Sequence, residues 1–178
     1  MQLLKTALKF VAFAILFMLL TINTLPTTYH ISITAPLTEH SPQKSEFMLS
    51  TKHWVQAIHV LQPNNINLIS LENSENVGGF VAFEHARGKV DATLVSRQKN
   101  EVQFHLRFNE EHQARLQIAL QPEINQVSIS VNGEVLTPII GSLIALLTKH
   151  YLTQILQTAT NEMMSELRLQ QVEPNNDH

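Results

Sequence analysis

Histidine is the residue type in this sequence that is best suited to acid–base or metal chemistry. The chain has nine histidines and no cysteine, which excludes thiolate metal sites and cysteine nucleophiles. His53 and His59 lie six residues apart, so on a helix they point in different directions. No His-x-x-x-His or Glu-x-x-His pair falls on a predicted helix, and the sequence therefore predicts no zinc site.

Other ionisable side chains fall in predicted strands. Strand alternation places His105 on the solvent face, together with polar neighbours. Glu84 and His85 are adjacent in a strand, so their side chains point to opposite faces and cannot act as a pair. Neither a Gly-x-Ser-x-Gly motif nor a phosphate-binding loop occurs. We therefore predict no catalytic residue and no cofactor.

Composition narrows the class of protein further. The 178 residues suit one domain with an appendage, and the apolar fraction of 44% is ordinary for a globular protein. The formal net charge is −3. Because the sequence has no basic stripe, nucleic acid is not a predicted partner.

The N-terminal segment has the pattern of a membrane signal. Lys5 and Lys9 flank the start of an apolar run, Phe10–Ile22, which is short for a membrane span and typical of a signal-peptide core. No small-x-small cleavage motif follows, so an uncleaved anchor over residues 1–26 is favoured over a removed signal. The lysines place the N-terminus in the cytoplasm. The prediction is a single-pass protein of the inner membrane with its domain in the periplasm.

Alternating apolar and polar residues predict a series of strands. They are Thr27–Thr34, Ile66–Leu71, Gly78–His85, Lys89–Arg97, Val102–Phe108, Ala114–Leu120 and Val127–Val131. Short turns between the last six indicate hairpins, and hence an antiparallel sheet with one buried face. Between the first two strands, the pattern indicates two short helical pieces separated near Ser50.

A long helix must cover the buried face. Apolar residues recur every three or four positions over Pro138–Leu169, with Thr137 as the predicted N-cap. The stripe includes Leu147 and Ile155 and is predicted to be buried against the sheet. A straight helix of this length would run about 48 Å, so a bend near Gly141 or a frayed end is expected. Residues 172–178 are predicted to form a disordered tail.

This order of elements resembles the START-like (SRPBCC) superfamily of polyketide cyclase/dehydrase and lipid-transport type, in particular its membrane-anchored bacterial members. Three stretches carry the resemblance: Leu25–Pro36, Thr51–Trp54 and Gly141–Leu167. It implies an α+β helix-grip fold over residues 27–171. In that fold a curved antiparallel sheet of about seven strands wraps a long C-terminal helix, here preceded by the N-terminal membrane helix.

The resemblance also implies a cavity between the sheet and the C-terminal helix. The residues predicted to line it and bind a ligand are Trp54, Phe80, Ala82, Leu94, Phe104, Leu106, Leu116, Ile118, Ile129, Leu147, Tyr151, Ile155 and Met163. Such a lining suits a lipid or another apolar small molecule. The function predicted is therefore a membrane-anchored binding module without catalysis. Two alternatives stay open: a cyclase- or hydrolase-like enzyme using a cavity histidine or carboxylate, and a membrane-tethered interaction domain with a filled core.

Overall fold

The computed structural model describes residues 6–7, 9–14, 16, 24–37, 41–61, 66–85, 88–109, 112–138 and 140–172. Its elements are β1 (Thr28–Pro36), α1 (Pro42–Leu49), α2 (Thr51–Leu61), β2 (Ile66–Glu72), β3 (Phe80–His85), β4 (Gly88–Gln98), β5 (Glu101–Phe108), β6 (His112–Gln121), β7 (Gln126–Val135) and α3 (Gly141–Val172). A short 3₁₀ turn joins β6 to β7. The predicted α+β architecture of seven strands and a long C-terminal helix is confirmed.

The seven strands form one antiparallel sheet in the order β1-β7-β6-β5-β4-β3-β2. β1 lies at one edge of the sheet, and α1 and α2 connect it to β2 at the other edge. From β2 the chain returns as a meander until β7 pairs with β1. β7 shows why the sequence folds this way, because its apolar residues are buried at every second position from Val127 to Val135. One face of the sheet therefore carries the apolar residues that α2 and α3 cover.

The tightest packing lies under the C-terminal half of α3. That half buries Leu156, Ala159, Met163 and Leu167, and the helix packs mainly on β1, β7 and α2. Met163 and Ile129 are both 0% exposed. This end of the domain is a filled core.

An ionic cluster fixes the start of α2 to the sheet. The guanidinium of Arg97 donates to the Glu75 carboxylate at 2.8 and 2.9 Å and to the Leu49 carbonyl at 2.7 Å. The other carboxylate oxygen of Glu75 accepts from Ser50 Oγ at 2.9 Å and from the Lys52 backbone N–H at 3.0 Å. These bonds connect β4, the β2–β3 loop and the first turn of α2. They set where α2 lies over the sheet.

The C-terminal helix differs from its prediction in two ways. It begins at Gly141, near the position where a bend was expected, rather than at Pro138, and it continues to Val172 as one helix. The predicted stripe is buried only in its second half, since Leu143 and Leu147 are exposed and Ile155 is half-buried. In the first half of α3, the side that carries Ser142 and Ala145 is buried, whereas the side that carries Leu143 and Leu147 is exposed.

The predicted inner-membrane location is wrong. Across the ranges of the chain that the structure describes, no helix is both long enough and apolar enough to cross a membrane. Residues 6–7, 9–14 and 16 are helical, and the remainder of the predicted anchor lies outside the described residues. The membrane helix, the orientation derived from Lys5 and Lys9 and the membrane as a partner are withdrawn with it. The predicted tail also lies outside the described residues, except for Val172 at the end of α3.

Candidate functional site: a cavity between sheet and helices

A cavity of about 860 Å³ lies between the sheet and helices α2 and α3. Its walls are the inward face of β3–β6 on one side and the facing sides of α2 and α3 on the other. Small-molecule sites in proteins span about 300–1,000 Å³. The cavity therefore has the volume of a full ligand site rather than of a packing defect.

The sheet wall is apolar and follows the register of the strands. Opposite one another stand Val81 on β3, Ala92 on β4 and Leu106 on β5. The other inward apolar residues of this wall are Phe83, Val90, Phe104, Phe108, Leu116 and Ile118. Strand alternation puts all of them on one face, and the small side chain of Ala92 adds depth to the cavity.

The helical wall comes from both helices. α2 contributes Trp54, whose indole N–H donates to the Met48 carbonyl at 2.8 Å and so fixes the ring. α3 contributes Ile144, Leu147, Tyr151, Leu152, Ile155 and Leu156. Leu147 is 56% exposed and the preceding Ile140 is 49% exposed, although both line the cavity. The opening to solvent therefore lies beside the first turns of α3.

Eight of the thirteen predicted lining residues lie in the wall of this cavity. They are Trp54, Phe104, Leu106, Leu116, Ile118, Leu147, Tyr151 and Ile155. Whether they bind a ligand stays a prediction. The other five, Phe80, Ala82, Leu94, Ile129 and Met163, are not part of the lining, contrary to the prediction.

On β3, the residues predicted to face the cavity lie on the opposite face of the sheet. Val81 and Phe83 point into the cavity, so Phe80 and Ala82 point away from it. Residues 80–83 are all apolar. A continuous apolar run does not indicate which of its residues face inward and which face outward. The remaining three, Leu94, Ile129 and Met163, are almost fully buried in the filled core. They face inward as predicted, but they pack against other side chains.

His112 is the functional candidate that the sequence reasoning missed. It lines the cavity at the start of β6 and is only 6% exposed. Its Nε2 is hydrogen-bonded to the Tyr29 hydroxyl at 2.8 Å, and its ring stacks on Phe108 with centroids 4.5 Å apart. A signal was present, because extending the alternation of β6 back from Ala114 puts position 112 on the inward face.

Burial sets the protonation of this pair. Desolvation lowers the pKa of His112 to about 4 and raises the pKa of Tyr29 well above its usual range. Both groups are therefore neutral at pH 7. Gly133 makes the arrangement fit, since it stands opposite Tyr29 and a Cβ at this position would overlap the tyrosine ring. Tyr29 itself lies behind His112 and is not part of the lining.

The other ionisable groups lie outside the cavity or at its edge. His105 and Glu84 are exposed on the outer face of the sheet, as alternation predicted for His105. Lys89 lines one end of the cavity and forms an ion pair with Asp91 at 3.3 Å. Within the described part of the chain, no carboxylate lines the cavity and no three metal-binding side chains come together. The cavity is thus an apolar space with few polar groups.

No protein-family model matches this chain, and no curated protein matches it. Solved structures do resemble it. Ginseng major latex-like protein 151 from Panax ginseng aligns with 78% of this chain and 97% of its own, at 14% identity and a TM-score of 0.54. Ara h 8.0201 covers the same shares at 13% identity and a TM-score of 0.56. Protein CV1439 from Chromobacterium violaceum covers 76% of this chain and 95% of its own, at 13% identity and a TM-score of 0.51.

At this level of identity the likenesses show the fold alone. They establish the Bet v1/START-like helix-grip fold over most of the chain, in agreement with the predicted fold. They give no support to the predicted membrane-anchored bacterial membership, because the matching proteins come from organisms as different as Panax ginseng and Chromobacterium violaceum.

Proposed function

We propose that this chain is a binding protein for an apolar small molecule of lipid-like character, held in the cavity between the sheet and helices α2 and α3. The observation that carries the proposal is the cavity itself, which measures about 860 Å³ and has walls that are mostly aliphatic and aromatic. Transfer of apolar surface from water to such a wall is favourable by about 25 cal/mol per Å². The function needs no further chemistry from the protein.

The position of the opening supports the same function. Leu147 and Ile140 combine high exposure with a place in the lining, so an apolar molecule can enter beside the start of α3. Exposed leucine and isoleucine side chains cost free energy in water, and a bound apolar ligand would cover part of their surface. The alternative of a filled core is disfavoured by the same cavity.

Binding is favoured over catalysis by the polar groups of the cavity. A general base at neutral pH needs a pKa near 7, and desolvation lowers the pKa of His112 to about 4. The carboxylates that an enzyme of this kind would use, Glu84 and Asp91, lie on the outer face of the sheet. Among the lining residues that the structure describes, the enzyme alternative therefore has no histidine or carboxylate that is matched to its task.

The single tryptophan of the chain gives a direct assay. Trp54 lines the cavity, so energy transfer from it to the neutral dye N-phenyl-1-naphthylamine reports uptake into this space. The test variant is Ala92→Phe, which fills the middle of the sheet wall. The matched control is Ala119→Phe, the same substitution on the outward face of β6.

The proposal expects saturable transfer in the wild type, its loss in Ala92→Phe and its retention in Ala119→Phe. A packed interior would instead make Ala92→Phe lose about 1–3 kcal/mol of stability through overpacking, with no dye uptake in any variant. Dye uptake that survives Ala92→Phe unchanged would place the binding elsewhere and contradict the proposal.

A further inference from the structure

One end of the cavity, the polar end, carries the charged, amide and imidazole side chains of its lining, Lys89, Asn109 and His112. The strand pairing places four inward-facing residues side by side at one end of the sheet: Val90, Phe108, His112 and Val135. The polar lining residues Lys89 and Asn109 lie at this same end of the sheet. Ile118 also lines the cavity, six residues further along β6. At a strand rise of about 3.3–3.4 Å per residue, it lies about 20 Å from His112. The cavity is therefore elongated and polar at one extremity.

At the polar end, Lys89 and Asn109 each make a contact within the protein. The Lys89 ammonium pairs with Asp91 at 3.3 Å. The Asn109 side-chain oxygen accepts from the Lys89 backbone N–H at 3.1 Å. His112 differs from them in its burial, because Lys89 and Asn109 are exposed whereas His112 is 6% exposed. Among the residues that the structure describes, its Nε2 has a partner, the Tyr29 hydroxyl. The other ring nitrogen, Nδ1, is left for a molecule in the cavity.

We propose that the ligand is an amphiphile with one uncharged oxygen group, a hydroxyl or a carbonyl, that hydrogen-bonds to Nδ1 of His112 while its apolar part extends along β6 toward Ile118. The Tyr29 hydroxyl and the stacked Phe108 ring hold the imidazole in place. When Tyr29 donates to Nε2, Nδ1 carries the proton and donates to a carbonyl or hydroxyl oxygen. In the other tautomer Nδ1 accepts, and a ligand hydroxyl donates to it.

An uncharged group is required for electrostatic reasons. A carboxylate placed beside a neutral, 6% exposed imidazole would lose its hydration without gaining a cation. The cationic group at this end, Lys89, is exposed to solvent and shares the Asp91 carboxylate with Arg107, so it is not buried beside the imidazole. Burial that lowers the pKa of His112 acts in the same direction, because it opposes formation of an imidazolium partner.

The inference depends on the proposed function, and the experiment is designed to separate the two. Three probes share one chain length: dodecane, 1-dodecanol and dodecanoate. Their dissociation constants are measured at pH 7 by displacement of N-phenyl-1-naphthylamine from the cavity. The signal is the loss of energy transfer from Trp54 to the dye. The test variant is His112→Phe, which keeps an aromatic ring and removes both nitrogens. The control variant is Thr51→Val, because Thr51 also lines the cavity with a buried Oγ1 that has no partner among the described residues.

The readout is the ratio of the dodecanol constant to the dodecane constant within each protein, so a general loss of affinity cancels. His112→Phe is expected to shift this ratio about 3- to 10-fold against dodecanol, the effect of one hydrogen bond between neutral groups. Thr51→Val is expected to leave the ratio unchanged. The wild type is expected to bind dodecanol at least tenfold more tightly than dodecanoate, and this comparison decides by itself if His112→Phe does not fold.

An unchanged ratio in His112→Phe, or a shift caused by Thr51→Val instead, overturns the assignment of His112 while apolar binding stands. Tighter binding of dodecanoate than of dodecanol overturns the uncharged-group requirement in the same way. If folded wild-type protein binds none of the three probes, the proposed function fails and this inference fails with it.

Discussion

Truncating one side chain in each half of α3 should give very different losses of stability. Met163 is 0% exposed in the filled core, and Met→Ala changes at such sites cost about 2–5 kcal/mol. Leu147 is 56% exposed and lies beside the cavity opening. Full burial of a leucine is worth about 1.5–3 kcal/mol, so with less than half of it buried Leu147→Ala should cost about 1 kcal/mol or less.

Urea unfolding followed by far-UV circular dichroism measures this contrast. For a domain of this size 1 kcal/mol corresponds to roughly 2–4 °C in Tm, so thermal melting provides an independent check. Leu147→Asp extends the comparison, since a charge at the opening can stay hydrated. It should leave the protein folded and weaken uptake of an apolar dye, whereas Met163→Asp should abolish folding.

Equal losses of stability for Leu147→Ala and Met163→Ala would contradict the difference in burial between the two halves of α3. That result would mean that the first half of α3 packs on the sheet as tightly as the second. The cavity would then be closed in solution, and the opening inferred from Leu147 would not exist.

Three further predictions concern the groups that shape the site. Glu75→Gln removes the charge that Arg97 pairs with and should cost about 1–2 kcal/mol, read from the urea midpoint; no change would mean that α2 is held by packing alone. Because the pKa of His112 falls from 6.5 to about 4 on folding, the unfolded chain takes up the proton first and stability should drop by about 1–2 kcal/mol between pH 7 and pH 5. His112→Phe should show a smaller drop, and an identical drop would exclude His112 as its source. Gly133→Ala should destabilise the protein by about 1–3 kcal/mol, since the new Cβ overlaps the Tyr29 ring; an unchanged melting curve would contradict that packing.

The sequence predicted the sheet well because alternation and turn residues are local signals. β5, β6 and β7 were found within a few residues at each end, and their inward faces were assigned correctly. β3 was assigned to the wrong face, since Phe80 and its three successors are all apolar. Its inward face is set by pairing with β4, where Val81 stands opposite Ala92. That pairing is not encoded in the local sequence of β3.

The parts of the candidate site that depend on long-range packing could not be predicted from the sequence. The stripe on α3 was visible as a periodicity, but nothing local distinguishes Leu147 beside the cavity from Met163 in the core. Which half of a helix touches the sheet depends on how α2 is held over it, here through Glu75 and Arg97. His112 was missed for a related reason, because its role depends on Tyr29, which lies 83 residues away in sequence.

A crystal structure of the protein with 12-bromododecan-1-ol would show whether the cavity holds an amphiphile, because anomalous scattering locates the bromine at the end of the ligand's alkyl chain. We predict ligand density between β3–β6 and α3, with the hydroxyl at Nδ1 of His112 and the bromine toward Trp54 and Ile118. Side chains filling that space, or a bromine signal only outside the cavity, would contradict it.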